Sequence, residues 1–446
     1  MRRRTSSRNA GALTALGVAT VVSACGVDRV NPEVPLWFHH HSGAIQVLVE
    51  RQLTAVARTT GEDYERSRPC IDADSGRIFV GSADHGLYAL RASDGSAMWR
   101  FETLGVVQSE PLYDPELDIV YFGSHDGALY AVRAQDGSLL FRFMTGAEVS
   151  RVPVISGEML YVANGADHLF ALDRRSGKQR WHVQRLPALG MEVAGYAGPM
   201  LDHGKVYMAF SDGHVAAYDA KDGTERWSPV DLSADAEQSS VTGEAPRYLD
   251  VDTTPVLGEV QGERVVYVAS YAGGVFALDA ETGARVWSNP DAVGTTDLVS
   301  WVEPAHVPSR FGPDANGPVE PERKLLFASS AVSGLWALDP ANGHPVWRIK
   351  IPEGGMTAPV PVAGAMLLGT TAYGLFLLSP RNGKVIDAID LGSGFAQTPA
   401  VAGTHAYLMS NAGTFLGVGV VPPIAGYAPA EGPRVSASAR SSARGW

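Results

Sequence analysis

One short unit recurs along this chain: a Gly, an apolar and aromatic run, a two-residue turn ending in Gly, and an aromatic residue four positions later. Its first copy reads Gly86-Leu87-Tyr88-Ala89-Leu90, then Asp94-Gly95, then Trp99. The equivalent turns and aromatics are Asp136-Gly137 with Phe141, Ser176-Gly177 with Trp181, Asp222-Gly223 with Trp227, Thr282-Gly283 with Trp287, and Asn342-Gly343 with Trp347. A seventh unit carries Asn382-Gly383 but has Asp387 where the aromatic belongs. Turns of this kind between apolar runs signal hairpins, because Gly accepts the positive φ they require. A further strand pair precedes each hairpin, as in Ile78–Ser82, Val120–Ser124 and Val265–Ser270. Four strands repeated about every 40 residues predict an all-β fold, a β-propeller. Residues 397–418 supply only three strands of an eighth unit. The expected fourth is Val34-Pro35-Leu36-Trp37-Phe38-His39 from the other end of the chain, with Trp37 in the aromatic place. Such a closure removes two free sheet edges. The expectation is an eight-bladed propeller of four-stranded antiparallel blades over residues 33–420, the last blade closed by the N-terminal strand.

The composition agrees. The chain has 49 Gly and 28 Pro in 446 residues, which suits short strands and tight turns, and a hydrophobic fraction of 45% that supports a packed core. Its formal net charge of −12 argues against nucleic acid as a partner. Arg2, Arg3, Arg4 and Arg8 precede an apolar stretch over 11–22 that is too short to span a bilayer and fits an export signal. Val22-Ser23-Ala24-Cys25 resembles a bacterial lipobox. Residues 1–24 are therefore expected to be a lipoprotein signal peptide, Cys25 the lipidated residue and 25–32 a tether. Gly26 stands where some inner-membrane lipoproteins carry Asp, which favours the outer membrane. Residues 421–446, rich in Ala, Ser, Pro and Arg, are expected to be a disordered tail. Two long spacings between units mark insertions at 229–249 and 289–322, both expected as loops able to carry function.

The chemistry-bearing residues are few. No phosphate loop, Gly-x-Ser-x-Gly elbow or His-Glu-x-x-His stands in the chain, and no catalytic residue is expected. His39-His40-His41 would alternate between two faces of a strand and reads as a polar face. Asp84-His85, His125-Asp126, Asp167-His168 and Asp212-Gly213 occupy equivalent turns and should gather on one face of the disc. Asp and His are also ordinary turn formers there. Neither a metal site nor a cofactor is expected. The recurring Trp residues read as packing between blades.

The segment Ala277-Leu278-Asp279-Ala280-Glu281-Thr282-Gly283-Ala284-Arg285-Val286-Trp287 resembles the pyrroloquinoline-quinone-type propeller repeat, Ala-x-Asp-x-x-Thr-Gly-x-x-x-Trp. That family holds quinoprotein dehydrogenases, which usually carry an adjacent Cys pair, and non-enzymatic relatives. This chain has two Cys, at 25 and 70, and no such pair. Leu249-Asp250-Val251-Asp252-Thr253-Thr254-Pro255-Val256 is similar to the Asp-Val-Asp-Thr-Thr-Pro-Val segment of the BamB lipoproteins. The resemblance implies a non-enzymatic scaffold of the outer-membrane β-barrel assembly machinery. It would be lipid-anchored on the periplasmic side, dock on a BamA-like barrel protein and be monomeric apart from that complex. Two loops would make the contact. One supplies Asp250 and Asp252. The other, Pro187–Val193, supplies Leu189 and Met191, with Glu192 where the family has Arg and the charge thus reversed. The alternative is another extracytoplasmic propeller that binds an envelope protein or a polysaccharide through the loops at 229–249 and 289–322. A quinoprotein dehydrogenase comes after both.

Overall fold

The computed structural model describes residues 43–54, 65–186, 197–232, 250–251, 253–303, 321–350, 355–372, 374–391 and 393–421. Every named element among them is a strand. The strands form eight four-stranded antiparallel sheets, the blades of a propeller. In the first blade the order from the axis outward is Cys70–Asp72, Arg77–Gly81, Gly86–Arg91 and Ala97–Glu102. The next six blades run over 112–144, 154–184, 200–231, 256–289, 295–349 and 360–389. The eighth joins Ala400–Ala402, His405–Met409 and Thr414–Val420 to Ile45–Gln52, so the two ends of the chain close one sheet. The middle strands are buried almost completely, and the outer strands alternate between exposed and half-buried positions. This is the pattern expected where successive side chains face neighbouring blades.

Each outer strand plugs the next blade with one residue. Trp99, Phe141, Trp181, Trp227, Trp287 and Trp347 sit opposite Ala89, Ala131, Ala171, Ala217, Ala277 and Ala337, and a register shift follows each pair. Every one of these rings lies against the turn glycine of the following blade: Gly137, Gly177, Gly223, Gly283, Gly343 and Gly383. These glycines have φ between 68° and 77° and face a ring where a side chain would go, so both backbone and space demand Gly. The indole N–H of Trp99, Trp181, Trp287 and Trp347 then donates to Ala134, Ala220, Pro340 and Pro380 oxygens of that blade, at 2.9–3.1 Å. Tyr161 and Tyr267 share the Ala220 and Pro340 oxygens with Trp181 and Trp287, whereas at Trp227 the matching Ala280 O accepts Tyr207 Oη at 2.9 Å and Lys205 Nζ at 3.2 Å, and the buried Trp227 Nε1 has no partner. Trp287→Phe is therefore expected to cost about 1 kcal/mol more than Trp227→Phe, since only the former breaks a hydrogen bond while both lose the same ring area. Equal urea midpoints for the two variants would contradict this.

Two expectations need correction. Val34–His39, with Trp37, lies outside the described residues, and the strand that closes the last blade is Ile45–Gln52. The place of the aromatic is filled by Val49, opposite Gly417 with the same register shift after it. An aromatic is not needed there because Phe415, on the adjacent strand, shares the contact: Gly95 of the first blade meets both Val49 and Phe415. The stretch 289–322 is not one loop. Thr295–Glu303 is the inner strand of the sixth blade, paired along its length with Arg323–Ser330. The remaining 304–320 lies outside the described residues, as does 233–249 of the other insertion.

Candidate functional site

In an antiparallel blade the second-to-third turns and the fourth-to-first connections fall at the same end. One face of the disc therefore carries the Asp/His turns and Asp250. The aspartates there serve the turns. Asp84 accepts the Gly86 N–H at 2.9 Å and the Tyr88 hydroxyl, and Arg100 lies 5.5 Å over the Tyr88 ring. Asp126 does the same with Ala128, Tyr130 and Arg142. Asp212 accepts the His214 N–H at 3.1 Å and two bonds from Arg185, at 2.9 and 2.6 Å. Asp167 is buried and accepts the Ser211 N–H and hydroxyl from the next blade; burial pushes its carboxyl up. Among the described residues no three His, Cys, Asp or Glu converge as metal ligands.

The segment from Asp250 to Pro255 ties the fourth blade to the fifth. Tyr271 N donates to Asp250 O at 3.1 Å, and Val251 N to Phe210 O at 3.3 Å. The buried Thr253 hydroxyl accepts the Ala269 N–H at 2.8 Å and donates to Ala269 O at 3.2 Å. Ser67, Ser109 and Thr357 accept the equivalent N–H of Gly81, Gly123 and Gly369. The Thr-x-Pro part of the segment is thus a clasp shared by several blades. Asp250 lies outside that clasp. Its side chain is only 3% exposed, and its Oδ1 has no hydrogen-bond partner. Asp252, Leu189, Met191, Glu192 and Cys25 lie outside the described residues.

The same face carries apolar groups that sequence reading missed. Leu104 and Leu186 are 77% and 79% exposed, the most exposed large apolar residues among those described. Each lies five positions after the plugging aromatic of its blade, where the chain leaves the outer strand, and Leu186 immediately precedes 187–196. The offset alone does not mark them, because Leu232 holds the same place after Trp227 and is 2% exposed.

On the axis, residues at or just before the inner strands of several blades meet. Arg68 pairs with Glu110 at 3.0 Å. Arg151 of the third blade reaches Asp297 of the sixth at 3.9 Å, a contact possible only across the axis. Burial raises the carboxyls of Glu110 and Asp297, opposed by these arginines. Burial likewise pushes the Cys70 thiol to about 11, which keeps it protonated and unreactive near neutral pH. A cavity of about 710 Å³ lies beside the inner strands, lined by Leu112, Val154, Ile155, Met200, Leu201 and Arg174 among others.

The fold and this face can be compared with known proteins. A curated BamB, the outer membrane protein assembly factor of Legionella pneumophila, is 26% identical over 168 residues, 37% of each chain. A second, from Alkalilimnicola ehrlichii, is 28% identical over 151 residues, 33% of this chain and 34% of its own length. The matched stretches thus span about a third of these relatives. Among solved structures, BamB from Moraxella catarrhalis superposes with a TM-score of 0.64 at 17% identity, covering 84% of this chain and 99% of that one. A quinohemoprotein alcohol dehydrogenase from Pseudomonas putida superposes at 0.59 with 15% identity, covering 88% and 78%. At these identities the superpositions establish the propeller fold alone. The family model described as outer membrane protein assembly factor BamB matches residues 116–349 and 331–420, more than half of the sequence, and the chain belongs to that family.

Proposed function

We propose that this protein is a non-enzymatic scaffold of the outer-membrane β-barrel assembly machinery. It is anchored through lipidated Cys25 to the periplasmic side of the outer membrane and docks on a BamA-like protein. The observation that carries the reading is Asp250: a buried carboxylate oxygen without a hydrogen-bond donor, placed between two blades on the face that bears the Asp/His turns, Leu104 and Leu186. An unsatisfied buried polar group costs about 1–3 kcal/mol, more when charged, and a partner's donor would relieve it once docking shifts the groups that cover Oδ1. Leu104 and Leu186 on that face are exposed apolar groups of the kind that anchor an interface when covered. Leu189 and Met191 belong to the segment that Leu186 leads into, and Asp252 stands two residues from Asp250.

The test is co-isolation from detergent-solubilised membranes of the native host. A BamA-like barrel protein should come with the tagged chain in near-stoichiometric amount. Asp250→Arg with Leu189→Ala should reduce that recovery about tenfold or more, the scale of one lost buried charge contact. Asp222→Arg, in an exposed turn at the opposite end of its blade, should leave it unchanged. Undiminished recovery with the double variant overturns the assigned surface. Enrichment of some other envelope protein in place of the barrel protein overturns the function.

A further inference from the structure

The missing aromatic of the seventh blade has a structural cause. Every plugging ring from the first blade to the sixth rests on the glycine of the next blade's third-to-fourth turn. The eighth blade has no such turn, because its third strand, Thr414–Val420, and its fourth, Ile45–Gln52, come from opposite ends of the chain. A Trp at 387 would have no turn to stack on and no turn carbonyl to reach. The entry of Ile45–Gln52 instead brings a backbone N–H into the interior, on Ile45, which is 1% exposed. Asp387, fully buried opposite Leu377, accepts that N–H through Oδ2 at 2.7 Å. Its other oxygen accepts the Ala388 N–H at 3.0 Å.

We propose that Ile45–Gln52 is a strap that opens separately from the rest of the ring, and that the Asp387 carboxylate is the clasp that sets how often it does so. The strap buries only Ile45 and Val49 of its eight residues. Its far end is held by Leu53 N to Gly413 O at 3.0 Å and by Gln52 against Thr414 and Ala412. Its near end is held by Asp387 and by Val421 N to Ala44 O at 2.8 Å. A pull transmitted from residues before Gly43 loads the near end first. A segment with little buried apolar area opens locally at a lower free energy than the ring it closes. The strap's ladder to Thr414–Val420 runs from Ile45 to Gln52, and the hydrogen bond to a buried charged acceptor adds to that ladder at the end that is loaded first.

Hydrogen exchange of the full-length protein tests this. Asp387→Leu should accelerate exchange in peptides covering 45–52 and 414–420 by about tenfold or more, the effect of losing one charge-assisted bond. Peptides from the first six blades should exchange at the wild-type rate. Ile45→Pro removes the donor and leaves Asp387 in place, while also giving up part of the packing of Ile45 on Val360 and Leu377 of the seventh blade. It should produce at least the same local acceleration, and adding Asp387→Leu to it should accelerate the strap by much less than Asp387→Leu does alone. Unchanged exchange in the strap, or acceleration spread evenly over all eight blades, overturns the proposal. So does failure of both single variants to fold, because the strap would then be inseparable from the ring.

Discussion

Arg174→Leu lowers the free energy of unfolding by about 3–5 kcal/mol, the cost of stripping the partner from a buried charge. The Arg174 side chain is 6% exposed and bonds through Nη1 to Asp114 Oδ2 at 3.1 Å, across the boundary between the second and third blades. Asp114 is 2% exposed. Its Oδ1 keeps the N–H of Glu116, at 3.0 Å, and that of Leu117, but Oδ2 would be left as uncompensated charge. Glu116 and Glu158 also reach the guanidinium, yet both are mostly exposed, so Glu116→Gln should cost less than about 1 kcal/mol. Asp114→Asn in the Arg174→Leu background should recover more than half of the loss, because a neutral amide no longer requires the cation. Urea denaturation of the four proteins decides it. A single Arg174→Leu variant within about 1 kcal/mol of wild type would show that water or a rearranged neighbour replaces the pair.

The sequence carried the propeller openly because its period is written in the turns. A Gly that must hold positive φ, and an aromatic that must rest on the next Gly, leave little freedom, so the blade count and strand pairing could be read directly. What was misread follows from positions where that contact is absent. The closing strand was sought around Trp37 because the other blades plug with a ring, whereas the eighth uses Val49 backed by Phe415 from a neighbouring strand. Asp387 was visible as an anomaly. Its meaning was available too, since the blade before a closure made from both chain ends is the one that lacks a turn to stack on. Thr295–Glu303 was read as loop because Gly294 and the Pro residues after it mask an alternating run. The burial of Asp250 is not legible in the sequence, because its segment is held by the backbones of Phe210 and Tyr271, which come from two different blades. Leu104 and Leu186 were overlooked because single apolar residues in loops are common.

The second large effect concerns the contact that repeats. Gly343 holds φ at 72°, and a methyl built on it would lie 2.5 Å from Cε3 of Trp287. Gly343→Ala therefore combines left-handed backbone strain of about 1–2 kcal/mol with overpacking of about 1–3 kcal/mol. Gly157 also has positive φ, 55°, but nothing lies within 4 Å of the same methyl, so Gly157→Ala should show the strain alone. Trp287→Ala should cost about 3–5 kcal/mol, because it empties a 9% exposed site between two blades and leaves Pro340 O with only the Tyr267 hydroxyl, at 3.0 Å, of its two donors. The two changes are coupled. With the ring gone the Gly343 methyl enters the vacated space, so the double variant should be less unstable than the sum of the singles by about 1–3 kcal/mol. Strict additivity, or a Gly343→Ala no worse than Gly157→Ala, would mean that the ring yields to the methyl without cost. The blades would then be held together by their middle strands, and the repeated aromatic would be filler.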